Sequence, residues 1–148
     1  MLYFVPFIVF ILDWASKYMA LTHLSRHVPV EITPFFNLYL TFNPGISFSM
    51  FVARNTYGSW FLTLLACLIC LFVLYIFRKE KNTETKFALM LILGGALGNV
   101  WDRVRYGAVV DFLDFHMMSY HWPAFNIADS AICIGVMIII SQTLWRKK

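Results

Sequence analysis

The side chains best suited to chemistry crowd into residues 94–130, GGALGNVWDRVRYGAVVDFLDFHMMSYHWPAFNIADS. Asp102, Arg103, Asp111, Asp114 and Asp129 lie there with Asn99 and Asn126, so four of the chain's five aspartates share one segment. Apolar runs flank it on both sides. An ionisable group beside hydrocarbon is costly, which makes such a cluster a functional-site candidate. Asp111 and Asp129 stand out as a pair. Two carboxylates held close cannot both ionise, so one keeps its proton at neutral pH and the two titrate as a unit. Such a pair supplies a base to deprotonate water and an acid to protonate a leaving group, with no covalent intermediate. No Ser or Cys has an evident base partner, which disfavours a nucleophilic mechanism.

The elements that must position this pair are membrane helices. The chain has 148 residues, 60% hydrophobic, 18% aromatic and only 14% charged, with mean hydropathy +0.69. Soluble domains carry about a quarter charged residues, so too little polar surface remains to coat a water-facing particle. One integral membrane domain over 1–148 is expected. The net charge of +4 does not read as a nucleic-acid patch, because the basic residues sit at the ends of apolar runs, where they act as topology determinants. No nucleic-acid partner is expected. Spans are predicted at about 2–21, 58–77, 87–104 and 124–145, each near the ~20 residues that cross a bilayer. The first lacks a basic leader, and Asp13 and Lys17 interrupt its apolar core, so it reads as a retained helix and not a cleaved signal. Asp13 and Lys17 stand at i,i+4 on one face, where they can neutralise each other; a supporting role is favoured over a chemical one.

Four spans put both termini on one side with the 78–86 loop. Arg78, Lys79, Lys81, Lys86, Arg146, Lys147 and Lys148 fall on that side, against Arg26, Arg54 and Arg105 on the other. The positive-inside rule therefore predicts cytoplasmic termini and outward-facing segments 22–57 and 105–123. Within 22–57, Pro29, Pro34 and Pro44 break any helix. Asn37-Leu-Tyr-Leu-Thr-Phe-Asn43 alternates polar and apolar residues, the pattern of a strand with one wet face, and Pro44-Gly45 makes a turn. The expected fold is an all-α integral membrane protein of four transmembrane helices, with a small extracytoplasmic β-sheet and loop.

Competing structural roles are also legible. Gly94 and Gly98 form a small-xxx-small pair that admits a neighbouring helix. Arg103 shares a face with Asn99 and can snorkel, with Asp102 as its partner. Asn126 and Asp129 fit a capping box at the start of the fourth span, although a carboxylate is an expensive cap there. Asp114 is expected to point away from Asp111. His116 and His121 share the outer loop with Asp111 and Asp114, but no paired-His helix motif accompanies them, so no metal is expected. Cys67 and Cys70 form a CxxC inside an apolar run and read as small apolar packing groups, as does Cys133. No cofactor is indicated.

The blocks Leu12-Asp13-Trp-Ala-Ser16-Lys17, Asn43-Pro-Gly45, Gly94-Gly-Ala-Leu-Gly-Asn99 with Asp102-Arg103, Val109-Val-Asp111-Phe112 and Pro123-Ala-Phe-Asn126-Ile-Ala-Asp129-Ser130 together resemble the bacterial lipoprotein signal peptidase (signal peptidase II) family. The likeness spans essentially the whole chain. It departs at Ile46, bulkier than the small residue expected after Asn43-Pro-Gly45. The resemblance implies an aspartic endopeptidase of the bacterial cytoplasmic membrane with Asp111 and Asp129 as catalytic dyad at its outer face. It also implies that Asn43, Gly45, Asn99, Arg103 and Asn126 line or support the substrate site, shaped by Asp13 and Lys17. The implied substrate is a prolipoprotein whose lipobox Cys carries diacylglycerol, cut on the amino side of that Cys. The implied partners are this substrate and membrane lipid, with the chain acting as a monomer. Inhibition by the cyclic peptide globomycin is implied as well. A transporter or proton channel is the rival reading, but it calls for carboxylates near mid-membrane, whereas Asp111 and Asp129 fall at span ends. A non-catalytic scaffold, with the aspartates as caps and ion pairs, is the other.

Overall fold

The computed structural model describes residues 2–45 and 56–145, without the side chains of residues 56 and 57. Ile46 with the rest of its loop, Arg54, and the basic end Arg146, Lys147 and Lys148 lie outside the described residues. A 3-10 turn leads into α1 (Val5–His23), followed by strands β1 (Val30–Thr33) and β2 (Phe36–Asn43). Helices α2 (Thr56–Lys79) and α3 (Thr83–Tyr106) come next, then β3 (Val109–Met117), β4 (Tyr120–His121) and α4 (Ile127–Trp145). All four helices are long and apolar enough to span a bilayer, with hydropathies between 1.3 and 2.7. Leu71, Phe72, Met137 and Leu144 are among many large apolar side chains left exposed on them, as lipid-facing surfaces require. This is a multi-pass membrane protein. Helix α3 begins four residues before its apolar stretch, because Asn82 caps it by accepting the Thr85 N–H at 2.9 Å; the polar first turn continues one helix.

α3 is the central helix. It packs against the other three, and small residues let them approach. A Cβ on Gly94 would come within 2.8 Å of the Pro6 backbone in α1, and one on Gly135 of α4 within 2.7 Å of the Ala88 carbonyl. Gly95 and Gly98 face Ala128, and Gly98 also faces the Asp13 carboxylate. The Gly94 and Gly98 pair therefore serves two neighbours, α1 and α4.

The four strands form one antiparallel sheet in the order β1-β2-β3-β4 at the end of the bundle where α1 and α3 finish and α4 begins. Alternation along β2 sorts its side chains as expected. Leu38, Leu40 and Phe42 join Val110, Phe112 and Leu113 in an apolar cluster on Ala20 and Leu24 at the end of α1, which leaves Asn37, Tyr39, Thr41 and Asn43 on the other face. Strands β1 and β4 have too few residues to show a period, and neither was predicted. The β2–β3 register slips between Leu38 and Thr41, and the N–H groups of Phe112 and Leu113 both donate to the Phe125 carbonyl (3.1 and 2.9 Å). Phe112 and Leu113 consequently share the apolar side. This corrects the expectation for Asp114, which the irregularity returns to the same face as Asp111.

Candidate active site

Asp111 enters the site on β3. Helix α3 stops at Gly107, whose left-handed φ of 72° suits a residue without Cβ, and the Gly107 N–H closes the last turn on the Arg103 carbonyl at 3.0 Å. Ser59 of α2 donates to the Gly107 carbonyl at 2.7 Å and fixes the turn. Four residues on, Asp111 is 2% exposed. Its carboxylate accepts the Asn126 side-chain amide at 2.7 Å and a side-chain hydrogen bond from Asn43. The Asn43 carbonyl oxygen in turn accepts the Gly45 N–H at 2.9 Å, and Gly45 has φ 104°; the Asn43-Pro44-Gly45 turn thus aims Asn43 at Asp111.

Asp129 enters from α4. The predicted capping box is present: the Asn126 side-chain oxygen accepts the Asp129 N–H at 2.9 Å, and Asp129 Oδ2 accepts the Asn126 N–H at 3.3 Å. Capping leaves the other oxygen available, and Asp129 Oδ1 accepts the Asn99 amide at 2.8 Å. Asn126, fully buried, therefore touches both aspartates, and its amide also reaches the Asn99 side chain and the Val110 carbonyl at 3.2 Å each. Burial raises the Asp111 pKa from its usual range to about 7, and the neighbouring Asp129 charge adds to this against the opposing hydrogen bonds from Asn43 and Asn126. Like charges in a dry site cannot both be carried.

Beneath this pair lies a buried ionic hub. The Lys17 ammonium, 2% exposed, contacts Asp13 at 2.7 Å, Asp102 at 2.8 Å and the Asn99 side-chain oxygen at 3.2 Å. All three of its protons have acceptors, the condition for burying an ammonium. Asp13 also accepts the Ala128 N–H at 2.9 Å, an unpaired donor in the first turn of α4. Asp102 accepts the Val110 N–H at 3.0 Å, one residue before Asp111. Asp13 of α1 and Asp102 of α3, joined through Lys17, thereby fix the two segments that carry the candidate pair. The expectation that Asp102 serves Arg103 is corrected: Asp102 pairs with Lys17. Arg103 donates to the Asn99 carbonyl at 3.4 Å and lies within electrostatic reach of Asp129 and Asp111. Its Nε has no partner among the described residues.

Asp114 is 4% exposed. It accepts the Asn37 amide at 3.1 Å and pairs with His121 at 2.9 Å, while His116 stacks on the His121 ring at 4.9 Å. Asn37 was legible as a wet-face residue of β2; nothing local in the sequence marks its pairing with a residue 77 positions away.

Four spanning helices capped by a small sheet, with two convergent carboxylates at the junction, define a membrane enzyme of the aspartic peptidase kind. The family model described as "Signal peptidase (SPase) II" matches residues 5–145. The chain is 47% identical over 137 residues to the lipoprotein signal peptidase of Polynucleobacter necessarius, covering 92% of this chain and 84% of that one. It is 46% identical to the lipoprotein signal peptidase of Ralstonia nicotianae, covering 92% and 79%. A bacterial membrane enzyme solved by the in meso method at 2.3 Å superimposes with TM-score 0.88 at 32% identity, covering 99% of this chain and 89% of that one. This chain belongs to the signal peptidase II family and is an aspartic peptidase of lipoprotein processing.

Proposed function

We propose that the chain removes signal peptides from diacylglyceryl-modified prolipoproteins, cutting on the amino side of the lipidated Cys, with Asp111 and Asp129 activating water. The observation that carries this reading is the convergence of two carboxylates on Asn126, with Asp111 held protonated up to about pH 7 by burial and by its neighbour's charge. With one proton on the pair, the ionised carboxylate takes a proton from water, and the hydroxide adds to the scissile carbonyl carbon. The protonated carboxyl donates to the carbonyl oxygen as it becomes tetrahedral. On collapse, a hydroxyl of the tetrahedral intermediate returns its proton to the dyad as the new carboxyl group forms, and the Cys nitrogen leaves with the dyad's other proton, so one water is consumed and one shared proton remains. Arg103, whose Nε has no partner among the described residues, stabilises the oxyanion or orients the substrate backbone. Asn43, Gly45, Asn99 and Asn126 hold the carboxylates and the adjoining loop; Asp13 and Lys17 hold the segments that carry them.

Orientation follows from charge. Arg78, Lys79, Lys81 and Lys86 cluster around the turn at the end away from the sheet, which by the positive-inside rule faces the cytoplasm with both termini. The dyad then works at the outer surface, where the signal helix and acyl chains remain in lipid while the scissile bond reaches water. The enzyme acts as a monomer in the bacterial cytoplasmic membrane, on substrate and lipid alone, over a single domain.

The test is cleavage of a purified diacylglyceryl-prolipoprotein beside its unlipidated form, followed by mass spectrometry. Release of the signal peptide with a new N-terminal lipidated Cys, for the lipidated form and sensitive to globomycin, is the expected result. No cleavage, or a cut elsewhere, overturns the reading.

A further inference from the structure

A second polar site lies on the same sheet face as the candidate dyad. Pro29, Tyr39, Asp114, His121, Trp122 and Ala124 line a cavity of ≈ 350 Å³, and none of the six belongs to a spanning helix. Its floor is the buried Asp114 carboxylate. Asn37 and His121 occupy two of its acceptor positions, and a carboxylate offers about four. Tyr39 and Trp122 supply flat apolar walls that suit the methylene stem of a long side chain. Glu31 is the cross-strand partner of Asn37, and partners directly opposite share a face, so a second, exposed carboxylate stands beside the cavity. His121 lines it, His116 stacks on His121 and His27 hydrogen-bonds Tyr39 at 3.3 Å, but no Lys or Arg lines it among the described residues. The local balance is therefore acidic.

Its distance from the dyad is set by the strand. Asp114 is three residues beyond Asp111 on β3, about 10 Å at the ~3.3 Å rise of a strand. An extended peptide covers that length in about three residues. The signal helix must stay with the spanning helices, so the chain that reaches a cavity built wholly outside them is the mature portion leaving the membrane.

We propose that this cavity is a substrate subsite for the second and third residues of the mature lipoprotein, counting the lipidated Cys as the first, and that it favours basic over acidic side chains through Asp114 and Glu31. This rests on the peptidase reading above. The subsite sets specificity and takes no part in bond breaking.

Five lipidated substrates differing only at those two residues test it: Ser-Ser as reference, then Lys-Ser, Ser-Lys, Glu-Ser and Ser-Glu. Wild-type enzyme is expected to cleave at least one Lys substrate about threefold to fivefold faster in kcat/KM than its Glu counterpart, the range for a half-exposed ion pair, with the difference in KM. That preference should shrink on raising salt. Asp114→Asn removes the buried charge and is expected to lower the ratio, leaving only the smaller contribution of Glu31. Glu31→Gln sits on an exposed strand, needs no buried partner, and should reduce the ratio even where Asp114→Asn fails to fold. Equal kcat/KM for all five substrates in the wild type, or an unchanged ratio in Glu31→Gln together with any folded Asp114→Asn, overturns the subsite and leaves the peptidase reading standing. Failure to cut any of the five overturns both.

Discussion

Replacing Asp111 with Asn tests how the site holds its proton. Burial raises the Asp111 pKa from 3.8 to about 7 in the folded protein. Between those values the folded state keeps a proton that the unfolded chain has released, so stability falls as pH rises through the window and levels off above it. A shift of about 3 units corresponds to about 4 kcal/mol; below pH 4 that penalty is absent. Asn is permanently neutral and nearly isosteric, so the variant escapes the penalty. It loses one acceptor for the donors Asn43 and Asn126, which costs about 1–3 kcal/mol. The balance at pH 8 is a gain of about 1–3 kcal/mol, or a rise in Tm of roughly 2–12 °C for a protein of this size. At pH 4 the same variant should be equal to or less stable than wild type. Thermal unfolding in detergent at pH 4, 6 and 8, followed by tryptophan fluorescence, measures this. A difference independent of pH, or a variant less stable than wild type at pH 8, refutes the reasoning.

Three further outcomes follow from the same geometry. The pH profile of kcat/KM should fall on the alkaline side with an apparent pKa near 7, as the pair loses its shared proton with Asp111; activity rising steadily to pH 9 contradicts this. Lys17→Met strands the carboxylates of Asp13 and Asp102, both under 4% exposed, and should cost about 3–5 kcal/mol, read as a lower Tm; a loss below about 1 kcal/mol shows that the hub is dispensable. Gly98→Ala drives a methyl group into Asp13 and Ala128 and should cost about 1–3 kcal/mol from overpacking. Because Asp13 holds the Ala128 N–H next to Asp129, activity should fall more than stability alone explains.

What could be read from residue order divides by range. The four spans follow from hydropathy, the β2 face from its alternation, and the contact of Asp13 with Lys17 from their i,i+4 spacing. The capping box of Asn126 and Asp129 was equally local. Structural and chemical readings of Asp129 turned out to be compatible, because one oxygen caps the helix while the other meets Asn99. The misreadings are all long-range. Asp102 lies beside Arg103 in sequence, yet bonds Lys17 across the bundle. Asp114 looked stranded because a regular strand turns i and i+3 to opposite faces, and no local pattern announces the irregularity at Phe112 and Leu113. Asn37 and His121 reach Asp114 only once β2, β3 and β4 have paired.

The central claim is that Asp111 and Asp129 perform the hydrolysis together. Its most direct measurement is single-turnover cleavage of a diacylglyceryl-prolipoprotein by Asp111→Asn and by Asp129→Asn, each first shown to be folded by its own unfolding transition. Removing either acid–base partner should slow cleavage by about 10²–10⁴-fold or more, and the double variant should be little worse than either alone, because the two act as a unit. Substantial cleavage by a folded form of either single variant would contradict the account.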